Sequence, residues 1–170
     1  LQCPISNYGA GLPLLLTRPF VVGDTIRIND VIGEVDEIKL AYTLLSNEDG
    51  ERIMVPNNQI IGQVIYNSHA NLLVEQALTI GYQADAEQAI QLIDAYLQNH
   101  QQVASDPAPL AGIEAFTESG VELCIRYWIP TKKYFQLKYE INSAIYAALQ
   151  QAAIEIPYPR QIVTLENNPD

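Results

Sequence analysis

The stretch from Arg18 to Ile61 constrains this chain most, because it places many short β-strand signals between turn residues. Runs of apolar and β-branched residues occur at 25–28, 31–38, 41–45, 52–55 and 63–66. Gly, Asp and Asn separate them, and the turn before Gly50 predicts a hairpin in which this glycine takes a positive φ. About five short strands in about fifty residues predict a compact β-barrel or sandwich.

Two details of this stretch carry structural expectations. Gly33 lies inside the second strand, where a glycine predicts a bulge or a sharp bend. The segment Pro56-Asn57-Asn58 ends the fourth strand, and it could open one helical turn over residues 59–61.

The lead-in over residues 1–17 is too apolar for a solvated tail and predicts a helix with Pro4 near its first turn. Gly9-Ala10-Gly11 forms a small-residue patch that permits close packing. Pro13 should cost helix stability unless the helix is kinked or packed. Arg18-Pro19 should end the helix, because the residue before a proline is pushed out of the α region. The segment is either a frayed terminus or the lower end of a membrane helix.

The hydrophobic period changes after Asn71, and the rest of the chain alternates strands with helices. Strands are predicted at 73–80, 113–118, 121–129 and 162–165, and helices from Asp85 onward and over 135–153. Asp85 can cap the first of these helices. The order β-α-β-β-α-β is typical of a ferredoxin-like sandwich, and the two folded parts should separate near residues 67–72.

Charge and cysteine content narrow the function. The chain has 20 acidic and 9 basic residues and a net charge of −11. A nucleic-acid partner is not expected, because phosphate neutralisation needs Lys and Arg. Cys3 and Cys124 form neither a disulfide framework nor a zinc pattern, which fits a reducing compartment. Cys124 is expected to be a small buried hydrophobe.

The start of the chain indicates a fragment of a longer protein. The chain begins at Leu1, on apolar residues, and no signal peptide is expected. Its longest apolar stretch, from Tyr8 to Leu16, is interrupted by Pro13 and is shorter than the roughly 20 residues that a bilayer requires.

No set of residues predicts catalysis, a cofactor or a metal site, so the chain is not expected to be an enzyme. His69 and His100 are both expected at the surface, without ligand partners. Asp36 and Glu37 are adjacent on a strand and should point to opposite faces, which disfavours a shared acid–base site. The basic and aromatic cluster at 132–138 could contact a phosphate, but a helix-entry loop is the favoured interpretation.

A series of short motifs follows in a specific order and spacing. They are Arg18-Pro19-Phe20, Val22-Gly23-Asp24, Gly33-Glu34-Val35, Thr43-Leu44-Leu45, Asp49-Gly50, Val55-Pro56-Asn57-Asn58, Ile80-Gly81-Tyr82 followed by Asp85, and Ile156-Pro157-Tyr158-Pro159. Ser6-Asn7 and Gly9-Ala10-Gly11 precede them. Together these motifs resemble the MscS family of small-conductance mechanosensitive channels over nearly the whole chain, and the segment before Arg18 resembles the end of that family's pore helix.

This resemblance implies an α+β fold: an N-terminal apolar helix fragment, a small Sm-like β-barrel or sandwich domain, and a ferredoxin-like α/β sandwich domain. The expected domains are residues 1–17, the end of the pore-lining transmembrane helix, then 18–68 and 69–170. The family implies a homoheptamer in the inner membrane whose cytoplasmic cage this chain would form. Membrane tension would open the pore to ions and small osmolytes during hypoosmotic shock, without a cofactor. Lipids would contact membrane helices that precede this chain.

The resemblance also assigns candidate gating residues. Gln2, Asn7 and Gly11 match positions tied to a hinge, to inactivation and to helix bending, and Arg18-Pro19-Phe20 would join the helix to the cage. Two departures stand out: Gln2-Cys3-Pro4 replaces the frequent Gln-Gly, and Pro13 lies in the lower half of the helix.

Two other classes of protein remain open. A barrel of this kind could form an Sm-like RNA-binding ring, although the acidic balance argues against one. Ferredoxin-like domains also occur in soluble ligand-sensing modules.

Overall fold

The computed structural model describes residues 3–157, with side chains from residue 6 onward. Its elements are helix α1 (Cys3–Thr17), strands β1 (Thr25–Ile28), β2 (Val31–Ile38), β3 (Tyr42–Ser46), β4 (Arg52–Pro56), β5 (Ile65–Asn67) and β6 (Asn71–Ile80), helix α2 (Ala86–Asn99), strands β7 (Leu110–Phe116) and β8 (Val121–Pro130), and helix α3 (Tyr134–Gln151). Single 3-10 turns cover Asn57–Gln59 and Thr131–Lys133. The expected strand at 162–165, Gln2 and the Tyr158-Pro159 pair lie outside the described residues.

Strands β1 to β5 form one antiparallel sheet in the order β4-β3-β2-β1-β5. Alternate residues of each strand point to one side, where they form a core with residues from the flanking segments. That core consists of Leu14, Phe20, Ile26, Ile28, Val35, Leu45, Val55 and Ile60. Leu14 belongs to α1, so the first helix is part of the same hydrophobic core as the sheet.

The irregularity in β2 lies three residues beyond Gly33, the predicted position. The register with β3 shifts between Val35 and Glu37, which leaves Asp36 as the extra residue of a bulge. Gly33 has regular pairing and is needed for a different reason: a Cβ there would lie 2.9 Å from the Ser46 carbonyl oxygen. A glycine in a strand can therefore mark close backbone approach instead of a bulge.

The second sheet has the order β6-β8-β7, and all its strands are antiparallel. Helices α2 and α3 cover the face on which alternate residues of β8 are buried, namely Val121, Leu123, Ile125, Tyr127 and Ile129. Asp85 caps α2 by accepting a hydrogen bond from the Gln88 amide at 3.0 Å. Cys124, on the other face of β8, is only partly buried, contrary to expectation.

The described elements confirm the predicted α+β class, with five strands followed by the order β-α-β-β-α. No helix in residues 3–157 is both long and apolar enough to cross a bilayer.

Gly120, at the turn between β7 and β8, gives a test of this architecture. A Cβ at Gly120 would lie 2.0 Å from the Ile80 carbonyl oxygen, whereas one at Gly112 would meet nothing within 4 Å. We expect Gly120→Ala to lower the free energy of unfolding by about 1–3 kcal/mol or more, because β6 must move away. Gly112→Ala is the matched control and should change it by less than about 0.5 kcal/mol. Chemical denaturation of both variants measures the difference, and equal effects would contradict this packing.

Candidate functional site

Helix α1 contacts the first sheet through its own backbone at Gly11. A Cβ at this position would lie 1.8 Å from the Leu40 carbonyl oxygen and 2.8 Å from the Asn57 side-chain nitrogen. Gly9, one half-turn earlier, has open space around its Cα. The helix can therefore lie this close to the sheet only with a glycine at position 11.

Asn57 holds the segment against which Gly11 packs. Its side chain is fully buried. Its Nδ2 donates hydrogen bonds to the carbonyl oxygens of Lys39 and Leu40, both at 2.9 Å. Its Oδ1 accepts one from Thr43 Oγ1 at 3.0 Å. Three hydrogen bonds from one buried amide fix the turn after β2, and they thereby fix the surface that α1 meets.

A second polar contact lies one turn earlier along α1. The Asn58 amide donates to Asn7 Oδ1 at 3.4 Å, which is long for an N–H···O hydrogen bond. The 3-10 turn at Asn57–Gln59 therefore contacts α1 through Asn7 as well as through Gly11. The turn starts two residues before the predicted position.

The end of α1 reverses the chain abruptly, as predicted for Arg18-Pro19. Arg18 has a φ of 47°, and its amide donates to the Leu14 carbonyl oxygen at 3.0 Å. This is a left-handed helix cap, in which glycine is the usual residue. Arg18 and Pro19 are exposed, whereas Phe20 is 2% exposed in the core of the sheet. Arg18, Pro19 and Phe20 are predicted from the sequence to join the helix to the cage, and Phe20 is the one whose side chain packs into the core of the sheet.

Pro13 does not end α1, which continues through it to Thr17. The ring of a proline inside a helix removes one backbone hydrogen bond. Gly11 and Leu14 pack against the sheet on either side of Pro13, and this packing offsets the loss. The sequence predicts such packing as one condition under which the helix could keep Pro13. The Pro13 carbonyl oxygen accepts a hydrogen bond from Thr17 Oγ1 at 2.9 Å.

The contact of α1 with the first sheet, through Gly11, Leu40, Asn57 and Phe20, is the joint between helix and sheet. The other residues singled out in the sequence lie apart from this joint. His69 is exposed as expected, but the His100 side chain is only 13% exposed and packs against the Tyr96 ring, so the surface prediction was wrong for His100. Asp36 and Glu37 bind different lysines, Lys132 and Lys39. Within residues 3–157 no group of three or more His, Cys, Asp or Glu side chains could hold a metal ion.

The basic and aromatic cluster at 132–138 enters α3, as favoured from the sequence. Lys132 bonds to carboxylates of β2, and Lys133 Nζ donates to Gln102 Oε1 at 3.2 Å. Lys138 lies over the Tyr134 ring at 5.7 Å. These contacts are all within the chain.

Sequence reasoning found the two sides of the joint but not their contact. The sequence predicts Gly11 as a bending position and Pro56-Asn57-Asn58 as the end of a strand. Gly11 and Asn57 are 46 positions apart in the chain, and only the folded sheet brings them together. The asparagine directly after a strand-ending proline is the signal that the sequence offers, because asparagine side chains at such positions often bond to nearby backbone groups.

Two protein-family models match the chain. The one described as "Mechanosensitive ion channel, beta-domain" matches residues 4–70, and the one described as "Mechanosensitive ion channel MscS, C-terminal" matches residues 63–156.

Individual relatives agree with these matches. An uncharacterized MscS family protein of Archaeoglobus fulgidus is 28% identical over 168 residues, which are 98% of this chain and 59% of that protein. The small-conductance mechanosensitive channel of Edwardsiella ictaluri is 26% identical over 167 residues, 97% of this chain and 58% of that protein. The crystal structure of Helicobacter pylori MscS in the closed state superimposes with a TM-score of 0.71 at 26% identity, covering 96% of this chain and 66% of that one. The chain thus spans somewhat more than half the length of these two curated relatives.

Replacing Asn57 tests the polar centre of the joint. Asn57→Ala removes both donors and the acceptor, and it leaves the Lys39 and Leu40 carbonyl oxygens without this partner. We expect the free energy of unfolding to fall by about 1–3 kcal/mol. Asn58→Ala is the matched control, because Asn58 is exposed and contributes its backbone amide. Thermal denaturation of both variants measures the effect, and a loss as large in Asn58→Ala would argue against the role given to Asn57.

Replacing Gly11 tests the backbone contact. Both Gly11→Ala and Gly9→Ala improve helix propensity by about 1 kcal/mol. Only Gly11→Ala brings a methyl group against the Leu40 carbonyl, which should cost about 1–3 kcal/mol or more. Unfolding experiments should therefore show a lower stability for Gly11→Ala than for Gly9→Ala. The reverse order would exclude the close contact.

Proposed function

Because the chain belongs to the MscS family of mechanosensitive ion channels, we propose that it forms the lower end of a pore-lining helix and the cytoplasmic cage of a tension-gated channel. Residues 1–17 supply the helix end, residues 18–68 the Sm-like β-domain, and residues 69–170 the ferredoxin-like domain. Ions and small osmolytes pass through the channel and relieve hypoosmotic shock. The matches reported above give no support to the RNA-binding or ligand-sensing alternatives.

The seating of Gly11 on the Leu40 carbonyl is the observation that supports this function most directly. A helix that moves with membrane tension must transmit its displacement to the cage, or lose contact with it. The backbone contact at Gly11 and the burial of Leu14 and Phe20 leave little room for independent movement. In this proposal α1 and the sheet move together at the Gly11 contact, while the long Asn7–Asn58 hydrogen bond can open.

The exposed side of α1 supports assembly into a ring of identical subunits. Tyr8, Leu12 and Leu16 have exposed fractions of 52%, 57% and 74%, although all three are large and mainly apolar. Exposed apolar side chains on one helix mark an interaction surface. In the proposed homoheptamer they face the helices of neighbouring copies, and lipids contact the membrane helices that precede this chain.

Recordings from the complete channel test the proposal. Expression in cells that lack their own mechanosensitive channels should give a current that opens with membrane tension, and it should improve survival of a sudden drop in osmolarity. Protein that reaches the membrane but gives no tension-activated current would overturn the proposed function.

Gly11→Ala should alter inactivation during sustained tension, because the added methyl group displaces the helix from Leu40. Gly9→Ala is the control that raises helix propensity without this clash, so its inactivation should stay close to that of the unmodified channel. Patch-clamp recordings compare the two time courses. Unchanged inactivation in Gly11→Ala would count against the joint as a gating element.

A further inference from the structure

The two sheets meet at a small contact between β1 and the turn before α3. Thr25 Oγ1 and Thr131 Oγ1 are 2.5 Å apart, and their residues are 1% and 0% exposed. The Thr25 amide donates to the His69 carbonyl oxygen, and the Ser68 amide donates to the Thr25 carbonyl oxygen at 2.9 Å. The start of β1 thus binds both the connection between the sheets and the turn at Thr131.

Lys132, the next residue, reaches back to the first sheet. Its Nζ lies 2.8 Å from Glu34 Oε1 and 3.0 Å from Asp36 Oδ1. The two carboxylate side chains are 18% and 19% exposed, and the lysine side chain is 51% exposed. Asp36 also accepts a hydrogen bond from Ser46 Oγ. One lysine therefore bridges two largely buried carboxylates that belong to the other sheet.

The pKa shifts of Asp36 and Lys132 support this contact. Burial tends to raise the pKa of Asp36, but the hydrogen bonds from Ser46 and Lys132 outweigh it and hold that pKa below its ordinary value. Hydrogen bonds to Glu34 and then Asp36 raise the pKa of Lys132. Both shifts favour the charged forms of Asp36 and Lys132, and therefore their ion pair.

Strand β2 connects this bridge to the helix joint. Glu34 and Asp36 lie on one face of β2, and the strand is followed directly by Lys39 and Leu40, whose carbonyl oxygens Asn57 holds under α1. A force on Lys132 acts on the same strand that leads to the surface that Gly11 contacts.

We propose that Lys132, Glu34 and Asp36 form an electrostatic latch that holds the second sheet in one orientation against the first and couples it to α1 through β2. The latch can open without unfolding either sheet, because the ammonium group is half exposed and accessible to screening by salt. The buried Thr25–Thr131 contact lies at the pivot. The effect of the latch on channel gating rests on the proposed function, whereas the ion pairs that form the latch do not.

Hydrogen exchange of the purified protein, read by mass spectrometry, tests the latch without requiring channel activity. Lys132→Glu places a negative charge beside two carboxylates, and amide exchange at Thr25, Ser68 and Asn71 should rise several-fold. Lys133→Glu is the matched control: it makes the same charge change in the same turn, at a lysine whose Nζ donates to the neutral Gln102 side chain. Exchange in the interior of β8 should be unchanged in both variants, which shows that they are folded.

A charge exchange separates the ion pair from other effects of substitution. Combining Lys132→Glu with Glu34→Lys restores a bridge of opposite charges while Asp36 and Ser46 stay in place, so exchange should return toward that of the unmodified protein. Raising the salt concentration should speed exchange at the same amides in the unmodified protein more than in Lys132→Glu. The latch is disproved by unchanged exchange in Lys132→Glu, by an equal rise in Lys133→Glu, or by failure of the double variant to recover.

Patch-clamp recordings of the same variants test the coupling to the helix. Lys132→Glu should change the time course of recovery after sustained tension, the double variant should restore it, and Lys133→Glu should leave it unaltered. If Lys132→Glu changes hydrogen exchange but leaves recovery after sustained tension unaltered, the coupling through β2 is overturned. If no variant, nor the unmodified channel, gives a tension-activated current, the proposed function fails, and hydrogen exchange still decides whether the latch exists.

Discussion

The contact between the Gly11 backbone and the Leu40 carbonyl depends on one buried amide. Asn57 fixes two consecutive carbonyl oxygens after β2, and a carbonyl held in this way is a rigid surface for the helix. A side chain at position 11 would separate helix from sheet, and Leu14 would then leave the core. The placement of α1 follows from this contact, whereas the abrupt reversal at Arg18 follows from the proline after it.

Strand β2 links the parts of the molecule. Its inward residue Val35 lies in the core of the first sheet. Its outward carboxylates, Glu34 and Asp36, bind Lys132, which follows strand β8 of the second sheet. The turn at its end supports α1. A bulge at Asp36 interrupts the regular pairing with β3 between these two contacts. Bulges often aim a side chain at a functional contact, and Asp36 is the residue bonded both to Ser46 and to Lys132.

Local patterns predicted most of the elements, because their causes are local. Alternation along β8, the cap at Asp85 and the proline after Arg18 each act within a few residues. Two of the incorrect details have a common origin in contacts from distant parts of the chain. Gly33 marks the approach of the β3 backbone instead of a bulge, and Glu140 of helix α3 lies 3.8 Å from Nε2 of His100. Neither neighbour is visible from the residues that flank these positions.

The sequence by itself determined the order of strands and helices, the end of α1 and the family to which the chain belongs, since these depend on periodicity, turn residues and motif spacing. The tertiary structure alone decided which residues share a contact. Gly11 meets Leu40, and Lys132 meets Glu34 and Asp36, because antiparallel pairing and the reversal of the chain bring remote segments to contact distance. Those distances depend on the packing of whole sheets, which no local pattern encodes.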